Sequence, residues 1–310
     1  MKICIQSQNE GWVLDEIARD FIRGTRHNIV GMNESPDLIW AINPFIFSSF
    51  CNVIPSTCRT VIQIHHIDAD KLVEYDFNSF NRADFCMVPN RITKDAVGKY
   101  LKIPVAILPY WLLSKNMAPK NIKEISAMKA EICPSGELLI GSFVKDGNGR
   151  VGDTPKSAKN PDLFLEIIKR LSSIMKIKVL LAGYAREYVK NRLSLMKIPY
   201  VYYQKYSDTN ILYDCLDWYF VTSKYEGGPQ SVLETSYRKV KILSTNVGMV
   251  SGILDNDCIC ASVDEFVKKV QSNVDRTEQN YSAVRKYTSD IIIPKYDDYF
   301  EKCFKGDKYG

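Results

Sequence analysis

The sequence lacks the long apolar run that a membrane-spanning helix requires. Such a helix needs about 20 consecutive apolar residues. The nearest candidate among these 310 residues, IPVAILPYWLL at 103–113, is shorter and contains two prolines. The first residues, MKICIQSQNEGW, become polar too early for the apolar core of a signal peptide. We therefore predict a protein that does not span a membrane.

Cysteine pairs with metal-binding or redox spacing are also missing. The nine cysteines include no C-x2-C pair, and no group of Cys and His has the spacing of a zinc site. An odd number of cysteines without such patterns is typical of reduced thiols in a reducing compartment. The sequence therefore predicts mostly buried, reduced cysteines and a cytoplasmic location.

Basic residues outnumber acidic residues only slightly. The chain has 41 basic and 36 acidic residues, a net charge of +5, and the basic residues are scattered along it. Nucleic-acid-binding proteins usually concentrate basic residues in a patch or stripe, so no nucleic-acid partner is predicted. The mild positive charge leaves open a weak peripheral contact with an anionic membrane face. The oligomeric state is not specified by the sequence.

Short apolar runs bounded by turn residues alternate with stretches of helical periodicity. KICIQ at 2–6 and DLIWAI at 37–42 are examples. The alternation restarts with ELLIGSF at 137–143, after a polar, lysine-rich linker at 114–136 that leaves room for a short helix. Buried parallel strands covered by helices have this pattern. The length exceeds what a single core usually supports. We therefore predict an α/β fold with two facing, doubly wound, Rossmann-like domains and a ligand cleft between them.

One segment of the second half combines two acidic residues with a flexible turn. After the predicted strand LDWYFVTS at 216–223, the segment SKYEGGPQSVLE at 223–234 places Glu226 in a loop and Glu234 in a helix. The loop lies at the carboxyl edge of the predicted sheet, where doubly wound folds bind ligands. Both carboxylates can accept hydrogen bonds from ligand hydroxyls.

The start of that helix favours an anion or a ring of hydroxyls. We expect Gly228 to be the N-cap and Pro229 the first helical residue, so that the amides of Gln230 and Ser231 lie at a positive helix end. Gly227 and Gly228 allow close approach of a ligand to the backbone. The carboxylates of Glu226 and Glu234 can accept from hydroxyls at the two ends of an elongated ligand, with an anion site between them. A nucleotide sugar, which has sugar hydroxyls, a diphosphate and ribose hydroxyls, fits this arrangement.

The residues from 223 to 254 resemble the E-x7-E signature of retaining glycosyltransferases with the GT-B fold, the family 4 type in particular. The resemblance extends through GSFVKDGNGRVGDTPKSAKNPDLFLEIIKRL and VLLAGY, and in the first half through NRADFCMVPNRITKDAVGKY and IPVAILPYWLL. It implies a GT-B fold with an acceptor-side domain at 1–116, a donor-binding domain at 117–290 and a C-terminal helix at 291–310 that returns to the first domain.

The resemblance also implies an activity and a set of site residues. The activity is metal-independent transfer of a hexosyl group from a nucleoside-diphosphate sugar to a glycan or lipid-linked acceptor. Glu226 would contact the transferred sugar, and Glu234 the ribose. The remaining implied residues are Gly227, Gly228, Pro229, Gln230 and Ser231 at the sugar, Lys159 with either Lys145 or Arg150 at the diphosphate, His65 or His66 lining the site, and Gly11 on the acceptor side.

The residues also allow three other interpretations. DAD at 68–70 could bind a metal, but it lies in a loop of the wrong domain for the donor, and we interpret it as a solvated helix start. We therefore predict no metal and no cofactor beyond the nucleotide-sugar co-substrate. A nucleotide-sugar 2-epimerase, or a nucleotide-sugar-binding protein without turnover, are the alternative functions.

Overall fold

The computed structural model describes residues 1–7, 13–149, 151–205 and 209–307. The described strands are β1 Lys2–Gln6, β2 Asn28–Ile29, β3 Leu38–Ala41, β4 Arg59–Gln63, β5 Phe85–Val88, β6 Val105–Ile107, β7 Leu138–Ser142, β8 Gly147–Asn148, β9 Thr154–Pro155, β10 Ile177–Ala182, β11 Tyr200–Tyr203, β12 Trp218–Val221 and β13 Lys241–Ser244. The described α-helices are α1 Val13–Gly24, α2 Pro44–Phe50, α3 Phe77–Phe80, α4 Arg91–Val97, α5 Ile122–Ile132, α6 Pro161–Ser172, α7 Glu187–Leu195, α8 Thr209–Cys215, α9 Gln230–Tyr237, α10 Val250–Ile253, α11 Val263–Gln271, α12 Thr277–Val284 and α13 Ser289–Lys305.

The chain divides into two compact units. Unit 1 comprises Met1–Lys115 together with Lys286–Gly310, and unit 2 comprises Asn116–Arg285. The boundaries predicted from the sequence were residues 116 and 290. No helix in the described part of the chain is long and apolar enough to cross a membrane.

Unit 1 contains a six-stranded parallel sheet in the order β2-β1-β3-β4-β5-β6. Strands β3 and β5 are buried at every residue, which explains their continuous apolar sequences. Helix α13 packs against this sheet, with the Tyr296 and Phe300 rings 5.8 and 5.4 Å from the Trp40 ring. The C-terminal helix is therefore part of the core of unit 1.

Unit 2 contains a five-stranded parallel sheet in the order β11-β10-β7-β12-β13. The chain moves from β7 outward through β10 and β11, and then returns to place β12 on the other side of β7. The carboxyl ends of β7 and β12 therefore form the topological switch point, the edge where doubly wound sheets bind ligands. Residues 143–147 and 222–228 follow these two strands.

Several local predictions need correction. The linker at 114–136, for which the sequence allows a short helix, contains the 11-residue helix α5 with Asn121 as its N-cap. The sequence TVIQIHH at 60–66 predicts a strand that ends with His65 and His66, but strand β4 ends at Gln63 and both histidines lie in the following loop. The prediction that Gly228 is the N-cap of α9 is wrong by one residue. Pro229 is the N-cap because its ψ of 117° is not helical, and the helix begins at Gln230.

Candidate functional site

Lys159 and Glu226 form an ion pair in unit 2. The Lys159 ammonium donates to Glu226 Oε1, and the Ser223 hydroxyl donates to the same oxygen at 2.8 Å. The two charged side chains are 19% and 11% exposed, so the pair is sheltered but still reachable from solvent. These are the carboxylate and the cation that the sequence predicted for the sugar and the diphosphate.

Backbone hydrogen bonds hold the two segments that carry this pair together. Lys159 lies at the end of a short 3-10 helix, Ser157–Lys159, directly before α6. The carbonyl of Ala158 in that turn accepts from the amides of Lys224 and Tyr225, at 2.9 and 3.3 Å. The loop after β12 is therefore joined to the turn before α6 directly beside the ion pair.

A glycine at position 248 supports the same loop from the following segment. Gly248 has a φ of +55°, and a Cβ added there would lie 2.4 Å from the carbonyl oxygen of Gly227. Since real Cβ atoms do not approach carbonyl oxygens so closely, a side chain at this position would displace the loop. Close backbone packing thus sets the position of Glu226 and Gly227.

The second glutamate of the motif is held by two donors from other elements of unit 2. Glu234 accepts from the Asn116 side-chain amide and from the Tyr213 hydroxyl, both at 2.6 Å. Burial, and then the nearby Glu234 charge, raise the pKa of Tyr213 well above its usual value, so its hydroxyl stays protonated. A carboxylate can accept about four hydrogen bonds, so Glu234 can still accept from a ligand hydroxyl.

An aromatic group lies between this glutamate and the end of β7. The Tyr213 ring is 4.7 Å from the Phe143 ring and 5.3 Å from the Tyr219 ring. The Phe143 amide donates to the Tyr219 hydroxyl at 3.0 Å, and burial raises the pKa of Tyr219 to about 12. The first residues after β7 are therefore attached to β12 and to the region around α9.

The loop predicted to hold the diphosphate contains a feature that the sequence did not indicate. Lys145 lies half-buried three residues after β7, whereas Arg150 falls outside the described residues. Between them, Asp146 forms a buried ion pair with Arg186, which lies after β10, at 3.0 Å. Burial raises the pKa of the Asp146 carboxyl, and the Arg186 guanidinium opposes that shift. Nothing in the local sequence connects these two residues, because the pair depends on the neighbouring positions of β7 and β10.

The predicted site residues of the first half lie in unit 1, apart from Gly11, which is outside the described residues. His65 Nε2 is 2.7 Å from the carbonyl oxygen of Ile42, and Nδ1 bonds the Tyr110 hydroxyl. Because a carbonyl only accepts, Nε2 carries the proton, and burial lowers the pKa of His65 to about 4. Both ring nitrogens of His65 are thus occupied within unit 1, and the sequence leaves open whether His65 or His66 lines a site. That role stays a prediction.

The segment 68–70 is a helix start. Asp68 is the N-cap of the 3-10 helix Ala69–Glu74, and its carboxylate accepts from the Asp70 amide at 3.0 Å. Within the ranges that the structure describes, no group of three or more His, Cys, Asp or Glu side chains is placed to hold a metal ion.

The arrangement in unit 2 is suited to an anionic, hydroxyl-rich ligand. The turn before α6 carries the cation Lys159, and it is bonded to the loop after β12, which carries the carboxylate Glu226. Gly227 and Gly228, which have no side chains, lie between Glu226 and the first turn of α9. The positive end of a helix and an ammonium both stabilise phosphate oxygens, and a carboxylate accepts from sugar hydroxyls.

Comparison with known protein families gives one match. The model described as Glycosyl transferases group 1 matches residues 153–286, which include Lys159, Glu226 and Glu234. This match confirms the predicted glycosyltransferase domain in the second half of the chain. A sequence comparison with curated proteins finds no match.

Several solved structures have a fold similar to that of this chain. The GtfA/B complex has a TM-score of 0.58 at 12% identity, over 86% of this chain and 57% of that chain. HepE from Anabaena in complex with UDP has a TM-score of 0.73 at 9% identity, over 98% and 99%. Sucrose-phosphate synthase from Thermosynechococcus elongatus has a TM-score of 0.70 at 10% identity, over 92% and 83%. At these identities the likeness concerns the fold, and it confirms the predicted GT-B fold class.

Proposed function

We propose that this chain is a metal-independent, retaining glycosyltransferase that moves a hexosyl group from a nucleoside-diphosphate sugar to a glycan or lipid-linked acceptor. The observation that carries the proposal is the sheltered Lys159–Glu226 pair at the switch point of unit 2. It lies in the segment that the glycosyltransferase model matches. The pair is also supported by the backbone, because the loop that carries Glu226 donates two hydrogen bonds to the turn that carries Lys159. A chance contact between two side chains would not need this support.

The first donor to test is UDP-glucose. Structures of HepE from Anabaena contain UDP and UDP-glucose, and that protein matches this chain over nearly the full length of both. In the proposed complex the Lys159 ammonium contacts the diphosphate, the Glu226 carboxylate accepts from a hydroxyl of the transferred sugar, and Glu234 accepts from the ribose.

The chemistry needs stabilisation of a leaving group. The bond between the anomeric carbon and the diphosphate oxygen breaks, which leaves negative charge on the phosphate. The acceptor oxygen forms its bond to the same face of that carbon, and its proton passes to a phosphate oxygen. A fixed ammonium and the positive end of α9 oppose the developing charge without reorganising, and one such contact contributes about 1.5–3 kcal/mol.

The test compares site variants with a matched surface pair. Lys169 and Glu166 form an exposed ion pair on α6, with side chains 63% and 48% exposed. Turnover of UDP-glucose, as transfer or as slow hydrolysis, should fall about 100-fold or more in Lys159→Met and Glu226→Gln. It should stay within about twofold of wild type in Lys169→Met and Glu166→Gln, because exposed pairs contribute little.

The products distinguish the proposed function from its alternatives. A transferase releases UDP and, with an acceptor, a glycosylated product with retained anomeric configuration. A 2-epimerase releases an isomerised nucleotide sugar or a free sugar without any acceptor. A binding protein without turnover is thermally stabilised by the donor and leaves it intact. Mass spectrometry of the reaction mixture, followed by NMR of the glycoside, decides among these outcomes.

The acceptor class needs a separate comparison. Short oligosaccharides and lipid-linked saccharides in vesicles that contain anionic lipid should be offered in parallel, with co-sedimentation of the protein measured in the same samples. Transfer to neither class under conditions that release UDP would contradict the proposed acceptors.

A further inference from the structure

The buried Asp146–Arg186 pair lies beside the loop after β7, and the proposed function assigns it no task. The Arg186 side chain is 0% exposed and the Asp146 side chain 3% exposed. Arg186 Nη1 donates to the carbonyl of Ser142 at 2.6 Å and to the carbonyl of Ala182 at 3.2 Å. One guanidinium therefore joins the ends of β7 and β10 to the loop that follows β7.

This loop is fixed on both sides of Lys145. Before it, the Phe143 amide donates to the Tyr219 hydroxyl at 3.0 Å. After it, Asp146 is held through its carboxylate by Arg186 and through its carbonyl by the Lys156 amide at 2.8 Å. Lys156 directly precedes the turn that ends at Lys159. The loop of Lys145 and the turn of Lys159 are thus neighbouring segments joined by a backbone hydrogen bond.

The hairpin after Asp146 packs against the segment that carries Arg186. A Cβ added at Gly152, whose φ is +81°, would lie 2.2 Å from the backbone of Ala185. The Gly147 amide donates to the Ala185 carbonyl at 3.0 Å, and the Tyr188 amide to the Gly152 carbonyl at 2.7 Å. The backbone on both sides of Arg186 therefore packs against Gly147 and Gly152, which follow Asp146.

A contribution to the stability of the fold does not by itself explain why this ion pair is buried here. Burying two charges costs free energy that their attraction often does not recover, and apolar residues of similar size frequently serve as well. In addition, Arg186 Nε and Asp146 Oδ1 are buried and have no hydrogen-bond partner among the described residues. Unsatisfied buried groups of this kind often occur where function constrains the local structure.

We propose that Arg186 is a positioning residue that holds the loop after β7 so that Lys145 contacts the diphosphate of the donor. This inference rests on the proposed function, since it assumes that unit 2 binds a nucleoside diphosphate. Arg186 does not touch the ligand itself, because its side chain has no exposed surface. Its effect is transmitted through Asp146 and the backbone on each side of Lys145.

The experiment is a coupling cycle on UDP affinity, measured by calorimetry. Arg186→Met combined with Asp146→Leu removes both charges, so no uncompensated charge is left buried and the variant is expected to fold. In the wild-type background, Lys145→Met should weaken UDP binding about 10-fold or more, the usual effect of losing one charge-assisted contact. In the Arg186→Met/Asp146→Leu background the same change should have an effect of less than about twofold.

The Arg186→Met/Asp146→Leu protein should itself bind UDP about 10-fold more weakly than wild type does, and it should bind uridine with unchanged affinity. Its thermal unfolding midpoint should be near that of wild type. A merely structural pair would give the opposite result, with wild-type UDP affinity or an undiminished effect of Lys145→Met. If this variant fails to fold, Arg186→Lys is used instead, because an ammonium keeps the charge but cannot make the same set of contacts.

Failure of the proposed function is recognised separately. If wild-type protein binds neither UDP nor another nucleoside diphosphate, or if Lys159→Met leaves that binding unchanged, unit 2 is not the predicted donor site. If both results are as proposed but Lys145→Met costs the same in either background, only the role of Arg186 is overturned.

Discussion

Replacing Glu226 by glutamine should have opposite effects on the binding of UDP and on the turnover of a UDP-sugar. In the protein without ligand, the Lys159 ammonium is engaged by the Glu226 carboxylate. A diphosphate must compete with this carboxylate for the cation. Glu226→Gln removes the competing charge and keeps the size of the side chain, so Lys159 becomes more available to the diphosphate.

The magnitude follows from the environment of the pair. Two charges about 4 Å apart attract by roughly 4 kcal/mol at an effective dielectric constant of about 20. Desolvation of side chains only 19% and 11% exposed offsets most of this attraction, which leaves about 1 kcal/mol. Glu226→Gln should therefore tighten UDP binding about fivefold. Lys159→Met removes a contact of about 1.5–3 kcal/mol and should weaken UDP binding by about 10-fold to 150-fold.

Calorimetric titration of UDP into wild type and the two variants checks the sign of each effect, and turnover of UDP-glucose is measured on the same preparations. Glu226→Gln should bind UDP more tightly while its turnover falls about 100-fold or more. Equal weakening of UDP binding by both changes would refute the reasoning, because it would mean that the pair only maintains the fold. Unchanged UDP affinity in Lys159→Met would refute it as well.

Three further predictions concern stability, loop position and metal. Burial lowers the folded-state pKa of His65 to about 4 from its usual value of 6.5, so the unfolded chain takes up this proton first on acidification. The contribution of neutral His65 to the free energy of unfolding is complete above pH 6.5 and is lost as the pH falls from 6.5 to 4, by as much as about 3 kcal/mol. Urea unfolding of His65→Gln at several pH values should therefore show a free energy of unfolding that depends less on pH than that of wild type. An unchanged pH dependence would contradict this. Gly248→Ala, whose Cβ would lie 2.4 Å from the Gly227 carbonyl oxygen, should lower turnover about 10-fold or more, whereas Gly149→Ala, with φ +70° and nothing within 4 Å, should stay within about twofold. Turnover should also survive exhaustive treatment with EDTA, and its loss with recovery on adding Mg²⁺ or Mn²⁺ would contradict the proposed metal independence.

The fold class and the central motif were predictable from the sequence because their signals are local. Completely buried strands such as FCMV at 85–88 appear as continuous apolar runs. The alternation of such runs with amphipathic segments predicts a doubly wound sheet, and this fold class is confirmed. The segment 223–234 also carries its own turn chemistry, so that a strand, a loop and a helix were expected in the right order.

Features that depend on tertiary neighbours could not be predicted. The two-residue strands β8 and β9 have almost no pattern of their own, and their pairing depends on close packing between Gly152 and Ala185. The partner of Asp146 is supplied by the segment after the neighbouring strand β10, and the neutral state of His65 is imposed by its burial in unit 1. Helix α9 begins at Gln230 instead of Pro229 because the ψ angle of Pro229 is not helical, and the amino-acid composition does not encode that angle.

The most direct test of the account is a crystal structure of the protein with bound UDP and glucose or with UDP-glucose. The account predicts a β-phosphate oxygen within about 3 Å of Lys159 Nζ, and a hydroxyl of the sugar at a similar distance from a Glu226 carboxylate oxygen. The Lys159–Glu226 pair would then be opened or shared with the ligand. A diphosphate bound elsewhere, with the pair of Lys159 and Glu226 intact, would contradict the central claim.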